Sequence, residues 1–458
     1  MKNLLSDALR VSRADYTDIR LERTWATAIG FRGSRLEGAT TGVETGGLVR
    51  CLNRGYGWGI TSFTGLDQLL PMLARAHELS LAAPRQTPLR LAEIPARHAD
   101  DLADLDGDVR GVPLGEKRLL LEQLNQEMLA VDRRIVDSQA AYEDRVVERW
   151  LGTSQGVLLS ELRTEVRLAA AAVAREDSFV ERAFESWATR GGWRSVRDTD
   201  HLFRQAGRRA VALLNAPRAR GGVYPVVLDP RLAGTLVHHT LGHLSEADML
   251  AGRADADQLM RPGRRVGSEL LTVGDDGSAP GLLGSHSFDD EGAPTQNTLL
   301  VQHGVIVGRV HTRETAALAG VTPTGNGRAG SFRHPPAARL SNTYVANGRG
   351  TLEDLIRDIR FGIYCVDALA VESHLGRFAI TAAHGQLIRD GRLAEPIRPV
   401  VLAGDMLETL GRIDAVAGDF RWAQLASCCT RGDAGPLPVA EGAPHLRIDG
   451  VNVGADLA

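Results

Sequence analysis

Residues 18–33, DIRLERTWATAIGFRG, and residues 47–63, GLVRCLNRGYGWGITSF, alternate apolar with polar side chains and are flanked by glycine-rich turns. An alternation with a period of two residues is typical of strands that bury one face in an antiparallel sheet. These stretches therefore predict short antiparallel strands over residues 17–65.

Helical patterns follow these strands. Residues 66–82 and residues 114–129 each carry apolar side chains three and four positions apart, as amphipathic helices do, and Pro71 belongs in the first turn of the earlier one. Residues 130–197 predict further strands, and residues 199–215 predict a third helix. Together these patterns indicate an antiparallel sheet flanked by helices.

The stretch Pro217–Gly222, PRARGG, is the best candidate for a linker between two domains. We predict an N-terminal α+β domain over residues 1–216, of the α/β sandwich type, with its first helices between residues 66 and 129. Residues 217–458 are rich in glycine and in short strand patterns, which predicts a mainly β domain that carries the candidate metal-site helix. The predicted fold class is α+β.

The composition is that of a globular protein, with 43% apolar and 24% charged residues. A formal net charge of -4 over 458 residues argues against a nucleic-acid partner, because phosphate binding needs a concentrated basic patch. The N-terminal residues lack the apolar core of a secretory signal, and no run of about 18 apolar residues occurs. We expect a cytoplasmic protein without a membrane partner, in which the four cysteines are free thiols or metal ligands.

Residues 232–250, LAGTLVHHTLGHLSEADML, hold three histidines within six positions of a helix-compatible segment. On an ideal helix with about 100° per residue, His239 and His243 lie about 40° apart, whereas His238 and His243 lie about 140° apart. A π-bulge or a helix break near Gly242 would bring His238 and His243 together. Neutral imidazoles are good zinc ligands, but a cluster of surface or core histidines without a metal explains the same pattern.

The adjacent Cys428 and Cys429, in the stretch LASCCTRGDAGPLPV, offer soft thiolate donors that a zinc site could use. Cys51 and Cys365 lie in apolar, strand-like surroundings, which favours buried side chains over ligands.

The histidine segment reads HHTLGH from His238 to His243, and six further stretches follow it in a fixed order. They are TVGDDG from Thr272, DDEG from Asp289, PTQ from Pro294, PTGNGR from Pro323, RLSNTY from Arg339 and PVAEGAPHLRID from Pro438. A bare HxxxxH is a weak signal, whereas this ordered set over more than 200 residues is specific. In this respect the chain resembles the TldD/PmbA metallopeptidases, whose metal helix reads HExxxH and whose last passage reads PVGxGxPxLxxD.

The resemblance implies a zinc site with His238, His243 and Cys429 as ligands and with a fourth position open for water. The family's cysteine comes shortly before the last passage, so Cys429 fits best, while Cys428 remains an alternative. Zinc in such a site would lower the pKa of water and polarise a scissile carbonyl group.

One departure from the family pattern concerns the general base. His239 stands where HExxxH has its glutamate, and a neutral imidazole can also accept a proton. We therefore predict His239 as the catalytic residue, although it could instead bind the metal or leave the site unable to activate water. Glu246 is the nearest helical carboxylate, but it lies two turns from His239.

Other residues carry weaker indications. Ala368–Glu372 replace a Gly-rich stretch of many relatives, which could alter how substrate enters. Asp289, Asp290 and Glu291 predict a solvated acidic turn more readily than a role beside the metal. The family-like positions Asn326, Arg328, Asn342 and Tyr344 fit turn formation and sheet pairing as well as substrate contacts.

The resemblance implies a zinc-dependent peptidase or amide hydrolase that holds an extended peptide or amide against strand edges, in a heterodimer with a PmbA/TldE-like subunit. Family members trim unfolded peptides and mature modified peptides, so a role in antibiotic biosynthesis, on a natural-product amide, is compatible with the altered site. The alternative is a non-catalytic subunit that supports an active partner.

Overall fold

The N-terminal part of the chain forms one twisted sheet. A computed structural model describes residues 1–82, 84–102, 107–197, 199–251, 253–374, 376–426, 428–431 and 435–455. The strands of this sheet are β1 (Tyr16–Arg32), β2 (Arg35–Leu52), β3 (Trp58–Thr64), β4 (Arg97–Leu102), β5 (Ile135–Thr153), β6 (Val157–Glu176) and β7 (Phe179–Thr189). Their order is β3-β2-β1-β5-β6-β4, and β7 also pairs with β6.

Long antiparallel pairs dominate this sheet. β1 joins β2 through a tight turn at Gly33, whose φ of 53° is the left-handed conformation that such hairpin turns require. The strands predicted over residues 17–65 are therefore present, and they are longer than the sequence suggests.

Helices cover one face of the sheet. They are α1 (Lys2–Val11), α2 (Leu69–Leu81), α3 (Leu114–Leu129) and α4 (Asp200–Leu214), with 3-10 turns at Leu66–Gln68, Val109–Gly111 and Trp193–Val196. Alanines of β6, including Ala170 and Ala172, share a core with Phe203 and Ala206 of α4. Small side chains on the strand let the helix pack closely, because no bulky group separates the two backbones.

One strand was not predicted. β4 lies inside the passage between residues 66 and 129 that the sequence assigns to helices, and it pairs in parallel with β6. Its sequence, RHADDL, has little strand character of its own, so the backbone partners that β6 offers at the sheet edge account for its conformation.

The C-terminal part is mainly β and holds two larger sheets. Its strands are β8 (Gly222–Leu228), β9 (Val273–Asp276), β10 (Asn297–Gln302), β11 (Val305–Ile306), β12 (Gly327–Arg328), β13 (Ala337–Ala338), β14 (Asn342–Val345), β15 (Phe361–His374), β16 (Arg377–Arg389), β17 (Arg392–Ile397), β18 (Val400–Asp405), β19 (Ile413–Val416), β20 (Arg421–Ala423), β21 (Cys428–Thr430), β22 (Pro436–Pro438), β23 (Ala440–Ala443) and β24 (Leu446–Ala455). Strands β15, β8, β24, β18 and β16 close into a barrel because β16 pairs again with β15.

The second sheet has the order β11-β10-β9-β14-β23-β20. Between this sheet and the barrel lies α5 (Pro230–Val237), which contacts β14, β20 and β23 on one side and β15 on the other. The remaining helices are short: α6 (Ala247–Leu250), α7 (Ala254–Leu259), α8 (Arg313–Ala319), α9 (Leu352–Ile356) and α10 (Met406–Gly411). The α+β fold class predicted from the sequence is confirmed, while the domain boundary at residue 217 stays a prediction. Within the described residues, no helix is long and apolar enough to cross a membrane.

Buried arginines of the N-terminal sheet connect it to the C-terminal part. Arg149 of β5 is 3% exposed and contacts Asp290, Glu161 and the carbonyl oxygen of Phe288. Arg20 donates to the carbonyl oxygens of Ser331 and His334. These contacts fix the two parts against each other because each buried charge needs its partner.

We expect Arg149→Met to lower the free energy of unfolding by about 3–5 kcal/mol, since it leaves Asp290 and Glu161 with buried, undercompensated charges. Urea unfolding measures the change. The matched control is Arg110→Met, which removes a partly exposed ion pair with Asp108 and should cost about 1 kcal/mol or less. Equal losses in the two variants would contradict a connecting role for Arg149.

Candidate metal centre

The helix that leads to the histidines is fixed at its start and along its length. Asp229 precedes α5, and its carboxylate accepts a hydrogen bond from the amide of Leu232 at 2.9 Å, as an N-cap does. Gly234 faces β23, where a Cβ atom would lie 3.2 Å from the amide nitrogen of Gly442. A glycine here lets the helix and the strand approach closely.

A π turn follows α5 at His238–Gly242. The amide of His243 donates to the carbonyl oxygen of His238, five residues earlier, so the turn holds one residue more than an α-helical turn. The rings of His238 and His243 consequently lie on one side, with centroids 4.9 Å apart. Of the two distortions considered, a π-bulge and a helix break, the structure has the π turn, and it removes the angular obstacle that an ideal helix would present.

Cys429 approaches these rings from β21. Its Sγ atom lies 3.3 Å from Nε2 of His243. The ligand atoms of His238, His243 and Cys429 all lie within 4.8 Å of one another. The structure therefore brings the three predicted ligands together from segments almost 190 residues apart in the chain.

Cys428 points to the opposite side of β21, as neighbours on a strand do. It is exposed, and its Sγ atom lies 2.8 Å from a guanidinium nitrogen of Arg167. Of the two adjacent cysteines, Cys429 is the one whose sulfur faces the histidines.

Neighbouring side chains orient both imidazoles. Nδ1 of His238 lies 2.9 Å from the Thr343 hydroxyl, and Nδ1 of His243 lies 3.3 Å from Glu246. The Nε2 atom of His243 thereby faces the sulfur of Cys429. Nε2 of His238 is buried and has no hydrogen-bond partner among the described residues, a state that buried polar atoms rarely keep without a ligand.

Glu246 is held behind His243 and does not reach His239 as a replacement base. Its carboxylate is fully buried and binds Arg431 at 2.6 Å. Although burial alone would raise the pKa of Glu246, the hydrogen bond with His243 and the charges of His243 and Arg431 hold the pKa below its usual range. Glu246 thus remains a charged partner for His243.

The protonation of the cluster favours a thiolate. Burial alone would raise the pKa of the Cys429 thiol, but the hydrogen bond with His243 lowers it below its usual value. Burial alone would lower the pKa of His243, but its hydrogen bonds with Cys429 and Glu246 raise it to about 10. Burial holds the pKa of His238 well below its usual value. A thiolate and a neutral imidazole are the forms that bind metals, and a cation can displace the proton on His243.

His239 lies beside the cluster, with its ring centroid 5.4 Å from that of His243. It lines two cavities, one of about 120 Å³ with Arg253 and Met406, the other of about 320 Å³ with Arg231 and Glu441. Burial and the charge of His243 lower the pKa of His239 to about 4, so its imidazole is neutral. His239 therefore borders both cavities.

Glu441 is a residue of this site that the sequence did not single out. It is 4% exposed, and its carboxylate accepts a hydrogen bond from the Thr235 hydroxyl. Ligand atoms of His238, His239 and Glu441 all lie within 4.8 Å of one another. Burial raises the pKa of Glu441 to about 7. Glu441 occupies an unspecified position of the PVGxGxP pattern, so the motif itself gave no signal.

The acidic residues Asp289, Asp290 and Glu291 are all buried, so the interpretation as a solvated turn is wrong. Asp289 accepts hydrogen bonds from three backbone amides, and Asp290 contacts Arg149. Because arginines and backbone amides compensate their charges, these carboxylates can remain in the interior.

The family-like polar residues support the strands around the site. Asn326 donates to Asp275 at 2.8 Å, Arg328 donates to the carbonyl oxygen of Pro438, and Asn342 accepts from the amide of Gly284. These contacts favour a structural role. Ala368–Val371, in contrast, line the larger cavity, beside a bulge in β15.

Comparison with known proteins identifies the same family along the chain. Residues 17–80 match the PmbA/TldA metallopeptidase domain 1, residues 107–214 the central domain and residues 221–455 the C-terminal domain. A metalloprotease of Synechocystis is 37% identical over 98% of this chain and 96% of its own length. A zinc metalloprotease TldD homolog of Saccharolobus solfataricus is 25% identical over 96% of this chain and 97% of its own length.

Two solved structures share the fold. TldE from Thermococcus kodakarensis has a TM-score of 0.79 and 19% identity, and the match covers 99% of both chains. A protein of Thermotoga maritima has a TM-score of 0.81 and 19% identity, with 99% of this chain and 100% of the other covered.

We expect Cys429→Ser to abolish tight zinc binding and Cys428→Ser to leave it unchanged, because only the sulfur of Cys429 faces the two histidines. Zinc content after gel filtration, measured by mass spectrometry, compares the two variants with the unchanged chain. Loss of zinc in the Cys428 variant alone would reverse the assignment.

Proposed function

The chain belongs to the PmbA/TldD metallopeptidase family, and we propose that it is a zinc-dependent peptidase or amide hydrolase with His238, His243 and Cys429 as the metal ligands. The observation that carries this proposal is the convergence of two imidazoles and one thiolate within 4.8 Å. Two nitrogen donors and one sulfur donor form a ligand set that zinc accepts, with one position left for water or substrate.

The surroundings of the ligands fit a metal as well. His238 holds a buried Nε2 atom that has no hydrogen-bond partner among the described residues. Thr343 and Glu246 hold the other ring nitrogens, as outer partners do in zinc sites. Zinc, when bound, supplies a Lewis acid that polarises the scissile carbonyl group and lowers the pKa of water.

His239 is proposed as a catalytic residue because it lines both cavities. A substrate that occupies both cavities would contact its ring. The sequence predicts its imidazole as the proton acceptor. In that case His239→Ala would abolish hydrolysis while zinc is retained, whereas a residue that only contacts substrate would leave part of the activity.

The proposed substrate is an extended peptide or a peptide-like amide, including one from natural-product biosynthesis. The larger cavity lies between Phe184 of β7 and residues Ala368–Val371 of β15. Both segments are strands, and strand backbone offers hydrogen bonds to an extended chain without strict selection of side chains.

We also propose a dimer with a PmbA/TldE-like subunit, in which the second chain covers the open side of the larger cavity. Exposed apolar residues support this arrangement, because Phe184 and Leu369 line that cavity with 46% and 51% of their surface accessible. Apolar groups at the mouth of a cavity are typical of a surface that a partner covers. Native mass spectrometry after coexpression with a PmbA-like chain from the same genome measures the complex.

A second candidate function is a metal-binding subunit without chemistry of its own. The specific observation that favours it is His239 in place of the glutamate of HExxxH. In that case His243→Ala would remove zinc from this chain while the complex kept its full hydrolytic rate.

We expect His243→Ala to remove zinc and to lower hydrolysis of a fluorescence-quenched unstructured peptide to the background rate, because the site loses a ligand. Chelation of the unchanged chain should have the same effect, and added zinc should reverse it. His98→Ala, on the exposed strand β4, is the matched control and should keep both zinc and activity. A chelated chain that hydrolyses the peptide at the original rate would refute the proposal.

We expect Thr343→Val to weaken zinc binding about 10–100-fold, since Nδ1 of His238 loses the hydroxyl that fixes the ring. Competition with a chromogenic chelator measures the affinity. Thr298→Val is the control, because the Thr298 hydroxyl has no hydrogen-bond partner among the described residues. An affinity that is equal in both variants would exclude an orienting role for Thr343.

A further inference from the structure

Because residue 239 is a histidine, this chain lacks the glutamate carboxylate of the HExxxH motif. A proton acceptor in such a site must lie within hydrogen-bond reach of the attacking water, or one water molecule away from it. Among the described residues, Asp367 and Glu441 are the carboxylates that line the larger cavity, and Glu246 lies next to His243.

Two nearby carboxylates form ion pairs with arginines. Glu246 is enclosed behind His243 and binds Arg431, and it lines neither cavity. Asp367 lines the larger cavity, but it forms ion pairs with Arg209 and Arg231 at 2.8 and 2.9 Å. Proton transfer to either would disrupt a buried ion pair, which is costly.

Glu441 lies in a different environment. It lines the larger cavity together with His239, and the Thr235 hydroxyl is the hydrogen-bond donor that contacts its carboxylate. Glu441 is buried, with 4% of its surface exposed, yet no arginine or lysine of the described residues forms an ion pair with it. A buried carboxylate without a cationic partner is unfavourable for stability alone, which points to a role in the cavity.

The strands fix the position of Glu441 relative to the candidate ligands. β23 runs parallel to β14, and Glu441 is the register partner of Thr343, the residue that orients His238. On the other side, Gly234 of α5 allows contact at this point, since a Cβ atom there would lie 3.3 Å from the Cβ atom of Glu441. The carboxylate is thus held between α5 and the second sheet, next to His238 and His239.

We propose that Glu441, a residue outside the HExxxH segment, is the proton acceptor of the hydrolytic reaction, an inference that rests on the proposed function. The water oxygen bonds to the scissile carbonyl carbon while one water proton passes to the Glu441 carboxylate. The C–N bond then breaks, and the proton passes from Glu441 to the leaving amide nitrogen. The carboxylate is regenerated, and His239 contacts the substrate without taking the proton.

The competing assignment is that Glu441 is a metal ligand, because its carboxylate lies within 4.8 Å of ligand atoms of His238 and His239. The two assignments differ in what Glu441→Gln does to bound zinc. A ligand variant would lose metal, whereas a variant of the proton acceptor would keep it.

The test compares the zinc-loaded full chain, with its PmbA-like partner where one is present, and its Glu441→Gln variant on an unstructured fluorescence-quenched peptide. The expected result is a kcat at least about 100-fold lower, with KM within about threefold and zinc content unchanged, as the loss of a general base predicts. Glu143→Gln, on the exposed part of β5, is the matched control and should behave like the unchanged chain. Should Glu441→Gln fail to fold, Glu441→Asp, which withdraws the carboxylate by one methylene group, should lower kcat about tenfold or more with zinc retained.

Two further variants separate a proton acceptor from a merely structural residue. His239→Ala should retain clearly more activity than Glu441→Gln. The double variant His239→Glu/Glu441→Gln should recover at least about tenfold over Glu441→Gln alone, because a carboxylate returns to the same space. Loss of zinc in Glu441→Gln, a kcat near that of the unchanged chain, or a double variant without recovery would each overturn the inference.

The outcomes also separate this inference from the proposed function. An unchanged chain that hydrolyses the peptide only with zinc, beside an equally active Glu441→Gln variant, would refute the role of Glu441 alone. An unchanged, zinc-loaded chain without hydrolytic activity would refute both.

Discussion

The candidate metal centre depends on the one extra residue of the π turn at His238–Gly242. In a regular helix, the side chains of His238 and His243 would project about 140° apart, and no single cation could bind both. A π turn gives up ideal backbone geometry locally, and such turns persist where the surroundings hold them in place. Here Gly242 allows Leu340 to pack against the turn, since a Cβ atom would lie 2.7 Å from its side chain.

The rest of the fold supplies what this turn requires. The barrel and the second sheet enclose α5, while β14 places Thr343 beside His238 and β21 places Cys429 beside His243. Buried arginines of the N-terminal sheet, including Arg149, attach that sheet to the loops around Asp290. The candidate ligands are thus held by several separate segments, which limits how far each side chain can move.

The sequence predicted local elements well and long-range contacts less well. The bounds of α3 were predicted to the residue, because an amphipathic pattern follows from the helix period alone. β4 was missed because its conformation depends on an edge of β6 that no local pattern reveals. The acidic turn at Asp289 was misjudged for the same reason, since its burial depends on arginines more than 100 residues away.

In the candidate site, too, the sequence indicated local features better than long-range contacts. The family motifs pointed to His238, His243 and Cys429, whereas the histidine spacing on an ideal helix favoured His239 with His243. The π turn explains how an i, i+5 pair comes to lie on one side. Glu441 carries no motif signal, because its relevance arises only when β23 packs against α5.

In the HExxxH motif, two histidines and the glutamate lie on one helix. With Glu441 as the proposed proton acceptor, the histidines lie on the helical segment and the carboxylate lies on a strand. Glu441 on β23 lines the larger cavity together with His239, so its carboxylate borders the same space as a glutamate at position 239 would. The imidazole of His239 is then free to contact substrate. With the proposed ligands and the proposed acceptor on different elements, a change at position 239 leaves the ligand positions intact. The proposal thereby explains three candidate ligands beside an altered motif.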